Sequence, residues 1–220
     1  MMERKTDLAY SIIKQKIITG VYKPMMDLSE EALQNELGYS RTPVREALLK
    51  LNDEGFIVVF PKKGTIVSPV NQQLIDEVYE ARLVNEPYVC QKSAKIMPRE
   101  ILLDIKAQLA IPTVDINDEK VRNYYIGIDD RLHKSILQFC TNRFIVKTMS
   151  LIYDHNSRFR YFSSQPTRDN SVKEHIAIID AMLDGDSSDI YKASVQHIEE
   201  SKHITISTFL VQDAISSFKG

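Results

Sequence analysis

Four side chains in the C-terminal part of the sequence could together bind a metal ion. Asp129 and His133 lie four residues apart in "DDRLH", so they share one face of a helix. His175 and His197 come from two later helical segments. One carboxylate and three imidazoles suit a divalent transition metal such as Zn, Ni, Mn or Fe. By spacing alone the pattern is weak, because Asp-x-x-x-His is a common helix pair and a single histidine is more often a packing or surface residue.

A second group of residues could bind an anion. Arg41 and Arg45 lie four residues apart in "SRTPVREALLKL", at the start of a predicted helix whose other face is apolar. A helix that only packs has no need of cations in its first turn, where the macrodipole is already positive. Arginine can pair bidentately with guanine O6 and N7, and Thr42 beside it can contact a phosphate or a thymine methyl group. The alternative is a small helical domain with a solvated basic edge.

The elements around these arginines are predicted as three helices followed by a hairpin. Apolar residues recur with helical spacing over residues 6–19, and two shorter helices follow. The first of these two is predicted to begin at the N-cap Ser29 and to end at Gly38. Two short strands, 56–60 and 65–67, flank a "PKKG" turn.

Two helices joined by a short turn and followed by a hairpin form a winged helix-turn-helix, which places the second helix in the major groove of double-stranded DNA. Lys62, Lys63 and Gly64 then lie at the tip of the wing. The two lysines can contact the phosphate backbone or the minor groove. Gly64 allows a tight turn and a close approach to the DNA.

The pattern changes from residue 71 onward, where strand patterns disappear and long helical patterns run close to the C-terminus. The "SPVN" segment at 68–71 is the predicted boundary. The sequence therefore predicts a mainly α fold. A winged helix-turn-helix DNA-binding domain covers residues 1–70, and an all-α helical-bundle ligand-binding domain covers residues 71–220.

Composition limits the class of protein. The formal net charge of −2 gives no global basic field, so any DNA-binding surface has to be local. The two cysteines, Cys90 and Cys140, form no disulfide framework, which suits a reducing compartment. The start has no signal-peptide pattern, and no apolar run approaches the roughly 18 residues that suggest a membrane span. These features predict a cytoplasmic protein without membrane association.

The segment "LGYSRTPVREALLKLNDEGFIVVFPKKGTIVS" resembles the signature of the GntR family of bacterial transcription regulators, in which an S-R-T-P-V-R-E-A-L run opens the recognition helix. The similarity extends from Asp7 to Ser68 in the expected order. The sequence departs from the family at one position. Some relatives carry a DNA-reading arginine where this chain has Glu31, a residue better suited to the start of a helix.

The C-terminal part is similar to the FCD ligand-binding domain of one GntR branch. "DDRLH", "HIAIIDAMLDGD" and "SVQHIEE" match, in order, that domain's D-x-x-x-H, H-x-x-I-x-x-A-I-x-x-G-D and final-helix histidine motifs. The resemblance implies four metal ligands: Asp129, His133, His175 and His197. Asp129 is expected rather than Asp130, because it keeps the four-residue spacing to His133. His155 and His203 fall outside the motifs and are interpreted as surface or packing residues.

The same resemblance assigns an effector-binding residue. "EVYEARLVNEPYVCQKSAK" is similar to the first FCD helix, in which an arginine, here Arg82, faces the cavity. Arg82 could equally be an exposed residue or one that is ion-paired with Glu86. Arg158 and Arg160 in "SRFRYF" could be cavity residues or surface charges.

Together these observations predict a DNA-binding transcription regulator rather than an enzyme. A homodimer reading a palindromic operator is expected, because one winged helix buries too little DNA surface alone. A small organic-acid or sugar-acid effector could take open positions on the metal, with Arg82 clamping its other end. Two alternatives are a metal sensor, in which the ion is the signal, and a metal-dependent enzyme, for which the sequence offers no general base beside the ligands.

Overall fold

The computed structural model describes residues 4–111, 118–162 and 168–217. In this part of the chain there are nine helices and one two-stranded sheet: α1 Lys5–Ile18, α2 Glu30–Leu37, α3 Arg41–Asp53, β1 Ile57–Phe60, β2 Gly64–Val67, α4 Gln72–Ser93, α5 Arg99–Leu109, α6 Glu119–Gln138, α7 Arg143–Phe162, α8 Arg168–Asp184 and α9 Ser187–Ser217. The chain divides into two compact units between Asn71 and Gln72. The predicted mainly α fold is confirmed.

The N-terminal unit is built on the packing of α1 against α3. Both helices bury apolar residues spaced three or four apart: Ala9, Ile13 and Ile17 on α1, and Val44, Leu48 and Leu51 on α3. Burying each of the larger side chains contributes roughly 1.5–3 kcal/mol. Lys14 Nζ also forms an ion pair with Glu54 Oε2 at 3.0 Å. The face of α3 that carries Arg41 and Arg45 remains exposed.

The short helix α2 begins and ends where the sequence predicts. Ser29 is the N-cap, and its hydroxyl accepts from the Ala32 N–H at 3.4 Å. Gly38 ends the helix with a φ of 67°, a conformation that glycine adopts without strain. The chain then reaches the first residue of α3, Arg41, after two further residues.

The wing is an antiparallel hairpin in which Phe60 pairs with Gly64. Gly64 therefore begins β2, whereas the sequence predicted it in the turn and the second strand over 65–67. The Lys63 N–H donates to the Phe60 carbonyl at 3.0 Å and closes the loop. Positive φ values occur at both Lys62 (64°) and Gly64 (131°), so the loop requires a backbone conformation that lysine seldom adopts.

The C-terminal unit consists of helices in its described residues. α4 packs along α6, α7 and α9, while α8 packs against α5 and α9. The Tyr79 hydroxyl joins α4 to α9, lying 3.1 Å from the Ser201 carbonyl and 2.8 Å from Thr205 Oγ1. These contacts bring α4, α6, α8 and α9 around one buried region. None of the described helices combines the length and the apolar character needed to cross a membrane.

Candidate metal centre and DNA-binding surface

Three histidines from three helices meet in the core of the helical unit. His133 on α6, His175 on α8 and His197 on α9 are all buried, and one ring nitrogen of each lies within 4.8 Å of the other two. The ring centroids of His175 and His197 are 4.4 Å apart, and those of the two pairs with His133 are 5.5 and 5.6 Å apart. Burying three polar rings together costs free energy unless their nitrogens have partners.

Asp129 supplies the carboxylate of this cluster. Its Oδ1 lies 3.3 Å from His133 Nε2, one turn along α6, and 2.7 Å from His175 Nε2 on α8. The neighbouring Asp130 has a different partner, because its Oδ1 accepts from Ser157 Oγ at 3.1 Å. The structure thus brings Asp129, and not Asp130, to the histidines.

Each histidine has a polar partner beside its second ring nitrogen. The contacts are His133 Nδ1 to Glu86 Oε1 at 3.1 Å, His175 Nδ1 to Ser171 Oγ at 3.4 Å, and His197 Nδ1 to Glu174 Oε2 at 3.2 Å. The contacts of His175 and His197 have hydrogen-bond geometry, whereas that of His133 with Glu86 is a close contact without it. A hydrogen bond at Nδ1 fixes the ring orientation and leaves Nε2 as the nitrogen available to a ligand. Metal-binding histidines in proteins are held in this way.

Burial keeps imidazoles of this cluster uncharged. It lowers the pKa of His175 and of His197 well below the usual value, and nearby histidines and Arg82 lower both further. Neutral imidazole is the form that binds a metal ion. The pKa of the Glu174 carboxyl is raised to about 7, by burial first and by Glu200 second. The carboxyl beside His197 therefore titrates near neutral pH.

The donor set fits a divalent transition metal. His175 Nε2 is buried and forms no hydrogen bond among the described residues, although Asp129 Oδ1 lies 2.7 Å away. Two nitrogens bound at about 2.1 Å from one ion lie roughly 3 to 4 Å apart. The histidine nitrogens lie within 4.8 Å of one another, so small side-chain shifts bring them to that spacing. Imidazole and carboxylate suit Zn, Ni, Mn and Fe, so the residues indicate the class of ion and not its identity.

Arg82 lies beside the histidines and is held in place by other residues. Its Nε donates to Glu86 Oε2 at 2.8 Å, and its Nη1 donates to Asn156 Oδ1 at 3.1 Å. Its Nη2 lies 3.3 Å from His197 Nε2. Burial opposes ionisation of Glu86, but the charge of Arg82 and the contacts that Arg82 and His133 make with the carboxylate outweigh it and hold the pKa of this carboxyl well below its usual range. Arg82 is therefore not exposed; it is both ion-paired with Glu86 and adjacent to the cluster.

Several contacts at this site were missed by the sequence analysis. Glu86 was considered only as a partner of Arg82, and neither Glu174 nor Asn156 was singled out. The local signals were small: Glu86 lies one helical turn after Arg82, and Glu174 directly precedes His175. The contact between Arg82 and Asn156 spans 74 residues, so no local pattern indicates it.

The structure also decides between the interpretations left open for two arginines. Arg160 pairs with Asp129 and with Asp130, which places it at the site. Arg158 is fully buried on the same helix, so it is not a surface charge. Of the two histidines outside the motifs, His155 is buried and His203 is exposed.

The start of α3 presents the predicted DNA-binding side chains to solvent. Arg41 is the first residue of α3, after the N-cap Ser40, and Arg41, Thr42 and Arg45 are all exposed. The unpaired N–H groups of the first turn and the positive end of the macrodipole lie at the same end of the helix. Arg41 Nε also donates to Glu30 Oε2 on α2 at 3.2 Å. This surface suits a phosphate or a guanine edge.

The tip of the wing is basic and exposed. Lys62, Lys63 and Gly64 all lie on the surface. A Cβ built on Gly64 would meet no atom within 4 Å, so its positive φ rather than crowding favours glycine there. The two lysines are available to a nucleic-acid backbone.

The fold is that of a DNA-binding transcription regulator with a second, helical domain. Residues 5–67 match the gntR family of bacterial regulatory proteins, and residues 77–200 match the FCD domain. The chain belongs to the GntR family, in the branch that carries an FCD domain. This confirms the resemblance drawn from the sequence.

Known proteins of similar sequence and fold support this assignment. The HTH-type transcriptional repressor RspR of Escherichia coli (strain K12) is 24% identical over 195 residues, which cover 87% of this chain and 84% of that protein. McbR/YncC of E. coli has a TM-score of 0.78 at 16% identity and covers 94% of this chain and 100% of that one. The Zn2+-bound FCD domain of TM0439 has a TM-score of 0.54 at 22% identity and covers 64% of this chain and 98% of that one. The family consists of regulators, so the alternative of a metal-dependent enzyme is excluded.

Proposed function

We propose that the protein is a metal-containing, effector-responsive transcription regulator. A small carboxylate metabolite bound in the helical unit changes its affinity for a DNA operator. The observation that carries this proposal is the cluster of three buried histidines from three helices, with the Asp129 carboxylate beside them. A bundle that needed only to pack would place apolar side chains there, because burying polar groups costs free energy.

The proposed metal ligands are Asp129, His133, His175 and His197, which would hold one divalent transition metal: Zn, Ni, Mn or Fe. When bound, the ion supplies positive charge and open positions for an oxygen ligand. The neutral imidazoles and the partners at their Nδ1 atoms support this assignment. The zinc in the FCD domain of TM0439, a similar fold, supports it further.

The proposed effector is a small organic acid or sugar acid. Its carboxylate suits the open positions, and Arg82 is the proposed clamp on its other end. The guanidinium of Arg82 is already held by Glu86 and Asn156, so it needs no reordering when an effector binds. Glu86 also neutralises Arg82, and the second cation at the site is Arg160, next to Asp129.

The DNA-binding residues proposed are Arg41, Thr42, Arg45, Lys62, Lys63 and Gly64. The arginines would read base edges in the major groove, and the wing would contact the backbone or the minor groove. A homodimer on a palindromic operator is the proposed assembly, because two half-sites supply the surface that one short module lacks. The effector acts as a switch when it binds the states of high and low DNA affinity unequally, by about 1–3 kcal/mol.

The same cluster supports a second function, a metal sensor in which the ion itself is the signal. The two functions differ in their response to a chelator. For a sensor, chelation alone abolishes or restores operator binding, and metal alone reverses the effect. For an effector-responsive regulator, metal occupancy is needed for the response to an organic acid but does not by itself replace that acid.

The direct experiment begins with selection of a DNA duplex from a random pool by the purified protein. Sedimentation and operator titrations then follow, with organic and sugar acids added in the presence and absence of metal. The proposal expects a palindromic sequence, a dimer, and at least one acid that changes operator affinity about 5- to 150-fold when metal is present. Failure to enrich any sequence, or a monomer at micromolar concentration with and without operator, would contradict it.

A further inference from the structure

The ion pair between α2 and α3 has a consequence for DNA recognition. We propose that Glu30 is a positioning residue: it holds the guanidinium of Arg41 by one edge, so that the two terminal nitrogens of Arg41 face the base. This inference rests on the proposed role of Arg41 in reading DNA. It adds to the recognition surface a residue that itself need not touch the DNA.

The contact uses one particular edge of the guanidinium. Arg41 Nε donates to Glu30 Oε2 at 3.2 Å. An arginine can present either Nε with one terminal nitrogen, or both terminal nitrogens, to guanine O6 and N7. Because Glu30 takes Nε, the remaining choice is the approach with both terminal nitrogens. The ion pair thus selects one of the two geometries before DNA is bound.

The fold fixes the positions of both partners. Glu30 is the first residue of α2, directly after the N-cap Ser29, where the helix dipole favours a carboxylate. Arg41 is the first residue of α3, and the two helices pack against each other. The spacing of the two helix starts, rather than a flexible loop, therefore determines where the guanidinium is held.

Stability is a weak explanation for this pair. The Arg41 side chain is 72% exposed and that of Glu30 is 36% exposed, and ion pairs between such groups contribute little to folding. An acidic residue next to a DNA-binding surface also repels phosphates, which weakens binding to every sequence alike. A pair that weakens general binding while orienting a base-reading arginine increases discrimination between sequences.

The chain provides a matched control in the adjacent Glu31. It also lies in the first turn of α2, where it is exposed, and no ion pair involves it among the described residues. Glu30→Ala and Glu31→Ala therefore remove the same charge from nearly the same place, but only the first frees Arg41. Glu30→Gln removes the charge and keeps an oxygen that can accept from Arg41 Nε.

The test measures affinity for two DNA probes: the duplex that the wild-type protein selects from a random pool, and the same duplex with scrambled half-sites. Both alanine variants should bind the scrambled duplex more tightly. Glu31→Ala should keep the wild-type ratio of the two affinities, whereas Glu30→Ala should lose about 3- to 10-fold of that ratio. Glu30→Gln should retain most of it, and adding Glu30→Ala to the Arg41→Ala variant should cause no further loss.

Equal ratios for Glu30→Ala, Glu31→Ala and the wild type would overturn the inference, provided that Arg41→Ala itself loses discrimination. If Arg41→Ala keeps full discrimination, the proposed base-reading role of Arg41 fails, and the inference fails with it. The Arg41→Ala measurement therefore distinguishes failure of the inference about Glu30 from failure of the proposed role of Arg41. Circular dichroism melts of all variants, which should nearly coincide because neither glutamate is buried and an ion pair of this exposure contributes little to folding, exclude an effect through folding.

Discussion

Glu86 lies between Arg82 and His133, with Oε2 accepting from Arg82 Nε at 2.8 Å and Oε1 lying 3.1 Å from His133 Nδ1. One buried carboxylate thus contacts both the proposed effector clamp and a proposed metal ligand. A charge buried this deeply is tolerated because it is paired, and removing one partner leaves the others uncompensated. The metal site and the effector site are therefore expected to respond together to changes at Glu86.

Glu86→Gln should weaken metal binding. The substitution keeps the size of the side chain but removes the negative charge beside His133 Nδ1, and loss of such a partner to a metal ligand typically costs about 10- to 100-fold in metal affinity. Competition with a chromophoric chelator measures the change. Glu80→Gln, at an exposed position on the same helix, is the control and should bind metal as the wild type does. Equal affinities for the two variants would show that Glu86 does not support the site.

Tyr79→Phe should destabilise the helical unit without altering the metal site. The hydroxyl bonds to α9 at Ser201 and Thr205, and its loss removes these part-buried hydrogen bonds, at a cost of about 0.5–1.5 kcal/mol. Phenylalanine keeps the aromatic ring of residue 79, against which the Arg82 guanidinium lies. Chemical unfolding of the metal-free protein measures the free energy. Tyr88→Phe, at an exposed tyrosine on the same helix, should change it by less than about 0.5 kcal/mol. A loss of similar size in Tyr88→Phe would contradict the prediction.

Metal binding should persist to lower pH than free histidine allows. Protons compete with the metal only as pH falls towards the pKa of the folded-state imidazoles, and burial places the pKa of His175 and His197 well below 6.5. Affinity should therefore change little from about pH 7.5 to well below about pH 6.5, and should fall only as pH approaches the lowered pKa of these two imidazoles.

Glu174 titrates in the same window, because its pKa is raised to about 7. The pH series is therefore repeated with Glu174→Gln, which removes that titration. A metal affinity that already falls steeply at about pH 6.5 in both proteins would contradict the lowered histidine pKa values.

Substitutions in α3 and in the wing should affect DNA binding in different ways: the first should reduce specificity, and the second should reduce affinity for all sequences. Arg45→Ala should cost about 1–3 kcal/mol on the operator and relax specificity, because it removes a contact to a base edge. Lys63→Ala at the wing should weaken binding to all sequences alike and reduce the salt dependence of binding. Titrations of operator and scrambled duplexes at several salt concentrations separate the two effects. Full discrimination by the Arg45→Ala variant would contradict its proposed role.

Local patterns predicted local structure well. α2 begins after Ser29 and ends at Gly38, as the sequence predicted, because a cap depends on hydrogen bonds and backbone angles within a few residues. The hairpin was predicted, but its register was not, because Gly64 could serve either the turn or the strand. The contact that decides it, Phe60 with Gly64, depends on the loop geometry, including the positive φ of Lys62.

The candidate metal site was predictable only in part. Asp129 and His133 share a helix, so their spacing was informative, but the grouping with His175 and His197 came from the family resemblance. The supporting residues were harder to find. Asn156 and Arg160 reach the site from α7, through contacts set by how four helices pack, and no periodicity within one helix encodes such contacts.

The metal content of the purified protein tests the central claim most directly. Elemental analysis after purification in the presence of divalent transition metals should find one ion per chain in the wild type and in His203→Ala, which changes an exposed histidine outside the cluster. His175→Ala/His197→Ala should lose that ion. Asp129→Asn, which preserves side-chain size, should bind it more weakly, so the test holds even if the double variant folds poorly. A wild type without stoichiometric metal, or a folded double variant that retains as much as the wild type, would contradict the account.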